Sequence, residues 1–240
     1  MTSPKVLLLE DDPAMRRFVE AVLEDQGVAL HVTSRIADAI GELAAAPFAL
    51  VLTDLMLVGE SGRSLVERLR DEPALGGGPR VAVMSAGLSA EVGADLLALG
   101  AWRLLHKPVS VEQLRQCVRD ALNPGPAAVA AVAPVVPTSV LDTYFGGNER
   151  VYRAYRAACE QQFPHDVAEG DRAFAAHDMQ AMRRLGHTLK SVSQSLGHVQ
   201  AADAARAVDS ACLNNDWAAV SQQWPSLRAS LRALIETPHR

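Results

Sequence analysis

The chain has 240 residues, a net charge of −5 at pH 7 and a hydrophobic fraction of 49%. This length and apolar content suit one or two folded domains, and no apolar run is long enough to span a membrane. The acidic balance, without a run rich in lysine or arginine, argues against a nucleic-acid-binding surface.

Four short apolar runs in the first half of the chain are predicted to be buried strands. Each is followed by polar residues: 6–9 by Glu10-Asp11-Asp12, 48–52 by Thr53-Asp54, 80–84 by Ser85-Ala86, and 101–105 by His106-Lys107-Pro108. Ligands of open parallel sheets bind at the carboxyl ends of the strands, so these side chains are expected to share a crevice. Three acids, a hydroxyl and a lysine form the set that phosphoryl transfer to a carboxylate requires, with acids to hold Mg²⁺.

This pattern resembles the receiver domain of response regulators over residues 1–123. The resemblance implies an α/β flavodoxin-like fold, a doubly wound parallel five-stranded sheet. It also implies that Asp54 accepts the phosphoryl group and that Asp12 and Asp54 ligate Mg²⁺ directly. The backbone carbonyl of Met56 would complete the protein ligands, and Asp11 would act through a water molecule.

The same resemblance assigns roles to the residues that follow the later strands. Ser85 takes the position of the hydroxyl that bonds a phosphoryl oxygen, and Lys107 that of the lysine that pairs with the phosphate. Pro108 is expected to follow a cis peptide bond, as in the family. The alternative is structural: an acidic pair after a strand can cap a helix, and Lys-Pro can be a turn.

Two positions depart from the receiver pattern. Leu104 lies three residues before the lysine, where receivers commonly carry an aromatic switch residue, and this puts signalling by that route in doubt. Val58 replaces a proline that usually follows the acceptor by four residues, although Gly62 keeps its expected place. Trp102 is a candidate substitute for the missing aromatic side chain, but a partly buried structural role is the favoured interpretation.

A Pro/Ala/Val-rich segment, 124–139, follows the receiver-like region and is predicted to be a semi-extended linker. A tether of this length gives an effective concentration on the order of millimolar, which favours transfer within one chain if the geometry permits it.

The second half of the chain contains a helical motif around His187. Apolar residues form one stripe on this helix, and polar residues, among them Lys190 and Ser191, fall on the opposite side. His187 is therefore expected to face solvent or a partner. A neutral imidazole there offers a lone pair to phosphorus, and Lys190, one turn later, would balance the charge of the acquired phosphoryl group.

The motif resembles the histidine-containing phosphotransfer (HPt) domain, with its pattern His-x-Leu-Lys-Gly and a further glycine ten residues after the histidine. Gly197 fits this pattern, and Ser191 replaces the first glycine. The resemblance implies an all-α four-helix-bundle HPt domain over residues 140–240. A histidine that is only a solvated polar residue is the alternative.

These features together predict a phosphorelay intermediate that carries phosphoryl groups on Asp54 and His187. No nucleotide-binding signature is present, so a carrier rather than a kinase is expected. The expected partners are a sensor or hybrid histidine kinase upstream and the receiver domain of a downstream response regulator, with neither nucleic acid nor membrane. No signal peptide is predicted, and three widely spaced cysteines fit reduced thiols, so a cytoplasmic location is expected.

The direction of flow stays open, since both phospho-amino acids are energy-rich. Two further functions are open as well. The chain could be a phosphorylation-controlled docking regulator or phosphate sink for a sensor kinase, or the second domain could be only a dimerisation element.

Overall fold

The computed structural model describes residues 3–123 and 139–236. The chain divides into two compact units, Met1–Tyr152 and Arg153–Arg240. The predicted linker at 124–139 lies outside the described residues, apart from Ser139. The first unit includes residues 140–152, which the predicted boundary at 140 places in the second domain.

The first unit alternates strands and helices. Its strands are β1 (Lys5–Leu9), β2 (Ala29–Thr33), β3 (Leu50–Asp54), the two-residue β4 (Met56–Leu57) and β5 (Glu60–Ser61), β6 (Arg80–Ser85) and β7 (Arg103–His106). Its helices are α1 (Pro13–Leu23), α2 (Ile36–Ala45), α3 (Gly62–Asp71), α4 (Ala90–Ala98), α5 (Val111–Leu122) and α6 (Val140–Phe145), followed by the first residues of α7 (Glu149–Ala175).

Five of these strands form a parallel sheet in the order β2-β1-β3-β6-β7. Every residue of β3 is buried, which is expected of a central strand covered on both faces by helices. This topology confirms the predicted doubly wound α/β fold. Because all five strands run in the same direction, the residues that follow β1, β3, β6 and β7 lie at one edge of the sheet.

The second unit is all-helical, as predicted. It contains the remainder of α7 together with α8 (Met179–Ser195), α9 (Val199–Leu213) and α10 (Trp217–Glu236). Asp178 caps α8 by accepting a hydrogen bond from the Ala181 amide at 3.0 Å. Gly197 follows the end of α8 with φ of 79°, a left-handed conformation that glycine adopts at low cost.

Glycine permits close approach between helices at two places in this unit. A Cβ on Gly170 of α7 would lie 2.0 Å from the Trp224 ring of α10, and a Cβ on Gly186 of α8 would lie 3.0 Å from the Asp209 amide nitrogen of α9. Among the helices of residues 3–123 and 139–236, none has the length and apolar content needed to cross a membrane.

Candidate functional site

An acidic cluster lies at the carboxyl edge of the sheet. One carboxylate oxygen from each of Glu10, Asp11 and Asp54 lies within 4.8 Å of the other two. Glu10 and Asp11 directly follow β1, and Asp54 is the last residue of β3, the neighbouring strand. Glu10 is fully buried and Asp54 is 5% exposed, so these charges are held in a region that largely excludes solvent.

Asp12 does not join this cluster, in contrast to its predicted role as a direct metal ligand. Its Oδ1 accepts a 2.7 Å hydrogen bond from the Met15 amide, and Asp12 is the N-cap of α1, with Pro13 as the first helical residue. Asp11 and Asp54 are brought together as predicted, and Glu10 takes the place that the sequence analysis gave to Asp12.

Lys107 bridges two of the acids. Its Nζ lies 2.6 Å from Asp54 Oδ2 and 2.8 Å from Glu10 Oε2. Burial opposes the charged form of this lysine, but attraction to Asp54 and Glu10 outweighs it and raises the lysine pKa well above its ordinary value. Lys107 is therefore a fixed positive charge beside the acceptor.

Electrostatic crowding in the cluster suits a divalent cation. Burial raises the pKa of Glu10 well above its ordinary value, with further contributions from the charges of Asp54 and Asp12 against the opposing effect of Lys107. Burial also raises the pKa of Asp11. Mg²⁺ prefers carboxylate oxygens, and its charge would favour the ionised form of these acids. The residues present therefore fit the ion that the receiver resemblance implies.

The other predicted residues surround the acceptor. The Met56 amide donates to Asp54 Oδ1 at 3.1 Å, so both acceptor oxygens are engaged. Ser85 is buried at the end of β6, the strand next to β3, and its carbonyl accepts a hydrogen bond from the Lys107 amide at 2.9 Å. The Lys107-Pro108 peptide bond is cis, as predicted.

The aromatic and aliphatic side chains near β7 are held by packing. Leu104 is partly buried, and a Cβ on Gly93 of α4 would lie 3.2 Å from Leu104 Cδ1. Trp102 is partly buried, and two guanidinium groups lie over its ring, that of Arg80 at 4.6 Å and that of Arg103 at 4.3 Å from the ring centroid. These contacts support the structural interpretation of Trp102.

His187 lies in the middle of α8 and is mostly buried, contrary to the expectation that it faces solvent or a partner. Only 7% of the residue is exposed. Its Nδ1 atom lies 3.4 Å from Oδ2 of Asp209 on α9, whose exposure is 5%. The apolar stripe predicts one buried face for α8, whereas α9 also covers the side that carries His187.

Asp209 also binds Lys190. The Nζ of Lys190 lies 3.0 Å from the same Oδ2 atom. Burial opposes the charged form of Asp209, but hydrogen bonds from His187 and Lys190 outweigh it and lower the pKa of the carboxyl group. Among the described residues, Asp209 Oδ1 is buried without a hydrogen-bond partner.

Close helix packing brings Asp209 to His187. Gly186 precedes the histidine, and a Cβ at this position would lie 3.0 Å from the Asp209 amide and 3.1 Å from the Ala205 carbonyl oxygen. Ser191, the residue in place of the expected glycine, is 8% exposed, and its hydroxyl donates to the Thr188 carbonyl at 3.0 Å. The serine is accommodated by bonding within its own helix.

Sequence reasoning missed Glu10 and Asp209 as members of these sites. For the first, a signal was available: Pro13 at the start of a helix marks Asp12 as the N-cap, which leaves Glu10 and Asp11 as the acids at the strand end. For Asp209 no local signal existed, because it lies on a different helix from His187.

Two protein families match the chain. The response regulator receiver domain matches residues 6–119, and the Hpt domain matches residues 154–237. The solved receiver domain of the Francisella response regulator 1452 has 26% identity and a TM-score of 0.46, covering 50% of this chain and 96% of its own.

Two curated relatives were also found. The response regulator protein PilR of Pseudomonas aeruginosa is 31% identical over 123 residues, which are 51% of this chain and 27% of PilR. The sensor histidine kinase GacS of Pseudomonas protegens is 32% identical over 118 residues, 48% of this chain and 13% of GacS. The chain thus spans less than a third of either relative. It carries a response regulator receiver domain followed by an Hpt domain, the two domain types of two-component phosphorelay systems.

Proposed function

We propose that this protein is a phosphorelay intermediate that accepts a phosphoryl group on Asp54 and exchanges phosphoryl groups through His187. The observation that carries the proposal is the pairing of two preorganised sites in one chain. Asp54 is held by Lys107 and the Met56 amide, and His187 is held beside Asp209.

In the first step, an oxygen of Asp54 attacks phosphorus on a phospho-histidine of an upstream sensor or hybrid histidine kinase. A phosphorus–oxygen bond forms, and the phosphorus–nitrogen bond breaks. The Nζ of Lys107 already lies 2.6 Å from Asp54 Oδ2, so it is close enough to pair with a phosphoryl oxygen once the group is bound to Asp54. Ser85, on the neighbouring strand, is proposed to bond another phosphoryl oxygen.

Asp11, Asp54 and the Met56 carbonyl are the proposed Mg²⁺ ligands, with Glu10 in place of Asp12 as the third acid. When bound, the ion neutralises charge that develops on the transferred group. The protein's own contribution is to place the acceptor carboxylate, exclude water from it and supply Lys107 as a second positive charge.

In the second step, His187 acts as the nucleophile. A hydrogen bond to Asp209 keeps the proton on Nδ1, which leaves the lone pair on Nε2 for phosphorus. Attack by Nε2 on a phospho-aspartate forms the phosphorus–nitrogen bond and releases the carboxylate. Lys190, anchored on Asp209, is close enough along the helix to pair with the acquired charge.

The receiving or donating partner of His187 is proposed to be a receiver domain, either that of a downstream response regulator or the chain's own. Either direction of flow is allowed. We place the exchange in the cytoplasm, since Cys117, Cys159 and Cys212 form no disulfide.

The burial of His187 favours one alternative, in which phospho-Asp54 controls docking to a sensor kinase and no group passes through the histidine. A small phosphodonor tests the two sites separately. We expect phosphoramidate with Mg²⁺ to modify wild type on both residues, Asp54→Asn only on histidine and His187→Gln only on aspartate, as read by ³¹P NMR. A His187 that stays unmodified while Asp54 reacts would support the docking alternative.

A further inference from the structure

A main-chain group of the loop after the acceptor contacts the acidic cluster. The Val58 amide nitrogen lies 2.7 Å from Asp11 Oδ2 and donates a hydrogen bond to it. The Val58 side chain takes no part in this contact, and the residue is 62% exposed. The contact therefore depends on the presence of an N–H group at position 58 and not on the side chain.

The loop that presents this amide is a tight hairpin. β4 and β5 pair antiparallel, with Leu57 opposite Glu60, so Val58 and Gly59 form a two-residue turn. Gly59 has φ of 72°, whereas Val58 has a negative φ. The turn is fixed at its base, because Glu60 Oε2 accepts from the Ile36 amide at 2.9 Å and the Met56 amide donates to Asp54.

We propose that the Val58 amide is a positioning group for Mg²⁺, orienting Asp11 so that its other carboxylate oxygen is directed at the metal position. The inference rests on the proposed function, which makes Asp11 a ligand. Hydrogen bonds to the outer atoms of a metal ligand fix its orientation, and their loss typically weakens metal affinity about 10- to 100-fold.

Val58 is one of the two positions at which this chain departs from the receiver pattern, where proline is usual. Proline has no N–H and cannot make the contact to Asp11. The departure therefore adds a hydrogen-bond donor directly beside a ligand, and it distinguishes this metal site from one with proline at the same position.

The substitution Val58→Pro removes the donor, and because the proline Cδ takes the place of the N–H beside Asp11 Oδ2, the Asp11 carboxylate must turn away from this position. A turn with negative φ at its first residue and positive φ at its second accepts proline at the first position. The preceding residue, Leu57, is already extended in β4, as a residue before proline requires. Val58→Ala shortens the same exposed side chain but keeps the N–H, and is the matched control.

The test is a MgCl₂ titration of the full chain followed by ¹⁵N NMR, with the dissociation constant taken from receiver amide shifts. We expect Val58→Pro to bind Mg²⁺ about 10- to 100-fold more weakly than wild type, and Val58→Ala to match wild type. All three proteins should show the metal-free spectrum of a folded receiver, with the shift changes of Val58→Pro confined to the residues around Asp11 and the hairpin of β4 and β5.

The outcomes separate the inference from the proposed function. Equal or tighter Mg²⁺ binding by Val58→Pro, with wild type binding normally, overturns the inference and leaves the proposed function standing. Equal weakening in Val58→Ala also overturns it, since that variant retains the donor. Absence of Mg²⁺ binding by wild type would contradict the metal site itself, and the inference with it.

Discussion

Lys107 Nζ lies 2.6 Å from Asp54 Oδ2, so the acceptor carboxylate is paired with a buried positive charge before any phosphoryl group arrives. The same ammonium group pairs with Glu10, which is fully buried. This lysine therefore serves both folding and chemistry: it compensates two buried acids, and it is in place for the transferred group.

Replacing Lys107 with alanine is expected to destabilise the receiver, because Glu10 and Asp54 lose their shared counter-charge. Removing one partner of a buried ion pair costs about 3 to 5 kcal/mol. Hydrogen exchange of β1 and β3 amides measures this loss. Arg17→Ala is the control, since its ion pair with Glu20 is exposed and contributes about 0 to 1 kcal/mol. Equal effects of the two changes would contradict the role of Lys107.

Asp209→Asn is expected to slow phosphorylation of His187 about 10- to 100-fold, because an amide no longer holds the proton on Nδ1 as a carboxylate does. The measurement is the rate of label transfer to His187 from a phosphorylated receiver. Asp203→Asn on the same helix is the control, since Asp203 is paired with Arg206 on the exposed side of α9. Transfer at the wild-type rate in Asp209→Asn would show that the 3.4 Å contact has no catalytic consequence.

Asp209 is also expected to make the stability of α8 and α9 depend on pH. Its pKa is lowered on folding from an ordinary 3.8, so the unfolded state binds the proton more readily. The stabilisation is then present above pH 3.8 and is lost as the pH falls through the folded-state pKa.

Urea titrations followed by NMR signals of α9, at about pH 7 and about pH 3, check this dependence. Wild type should exceed Asp209→Asn in stability at the higher pH, and the difference should shrink at the lower one. A difference that grows on acidification would contradict the lowered pKa.

Gly62 is expected to be essential for the geometry of the acceptor. A Cβ at this position would lie 1.9 Å from the Asp54 carbonyl oxygen and 2.7 Å from Thr53 Oγ1. Gly62→Ala should therefore displace the end of β3, destabilise the receiver by about 1 to 3 kcal/mol and reduce phosphorylation of Asp54.

Gly41→Ala is the matched control for Gly62. Gly41 lies inside α2, and a Cβ there would meet nothing within 4 Å. This change should stabilise the receiver by about 0.5 to 1 kcal/mol, because alanine loses less conformational freedom in a helix. Thermal unfolding of both variants, with phosphoramidate labelling of Asp54, gives the comparison. Equal behaviour of the two alanine variants would contradict the close-packing argument.

Local sequence patterns predicted the fold well where a strand is fully buried. The runs that became β1, β3 and β6 are almost continuously apolar, since both faces of a central strand are covered. β2 was not located from the sequence, because it lies at the sheet edge and most of its residues are only partly buried.

The sequence predicted those site residues that belong to short motifs, and it did not predict contacts between residues of different helices. The positions of Asp54, Lys107 and His187 follow from short motifs, each attached to one strand or helix. The burial of His187 and its contact with Asp209 depend on how closely α8 and α9 pack, a property of two helices that the periodicity of α8 alone does not contain.

Transfer of label from a phosphorylated histidine kinase with Mg²⁺ tests the phosphorelay most directly, with the products for wild type, Asp54→Asn and His187→Gln resolved on phosphate-affinity gels. A relay through Asp54 and His187 predicts label on both residues of wild type, and on Asp54 alone in His187→Gln. If His187 receives its phosphoryl group from Asp54 of the same chain, Asp54→Asn should leave His187 unlabelled. Labelling of His187 without Asp54 would contradict internal transfer, and a His187 that no donor labels would contradict the relay itself.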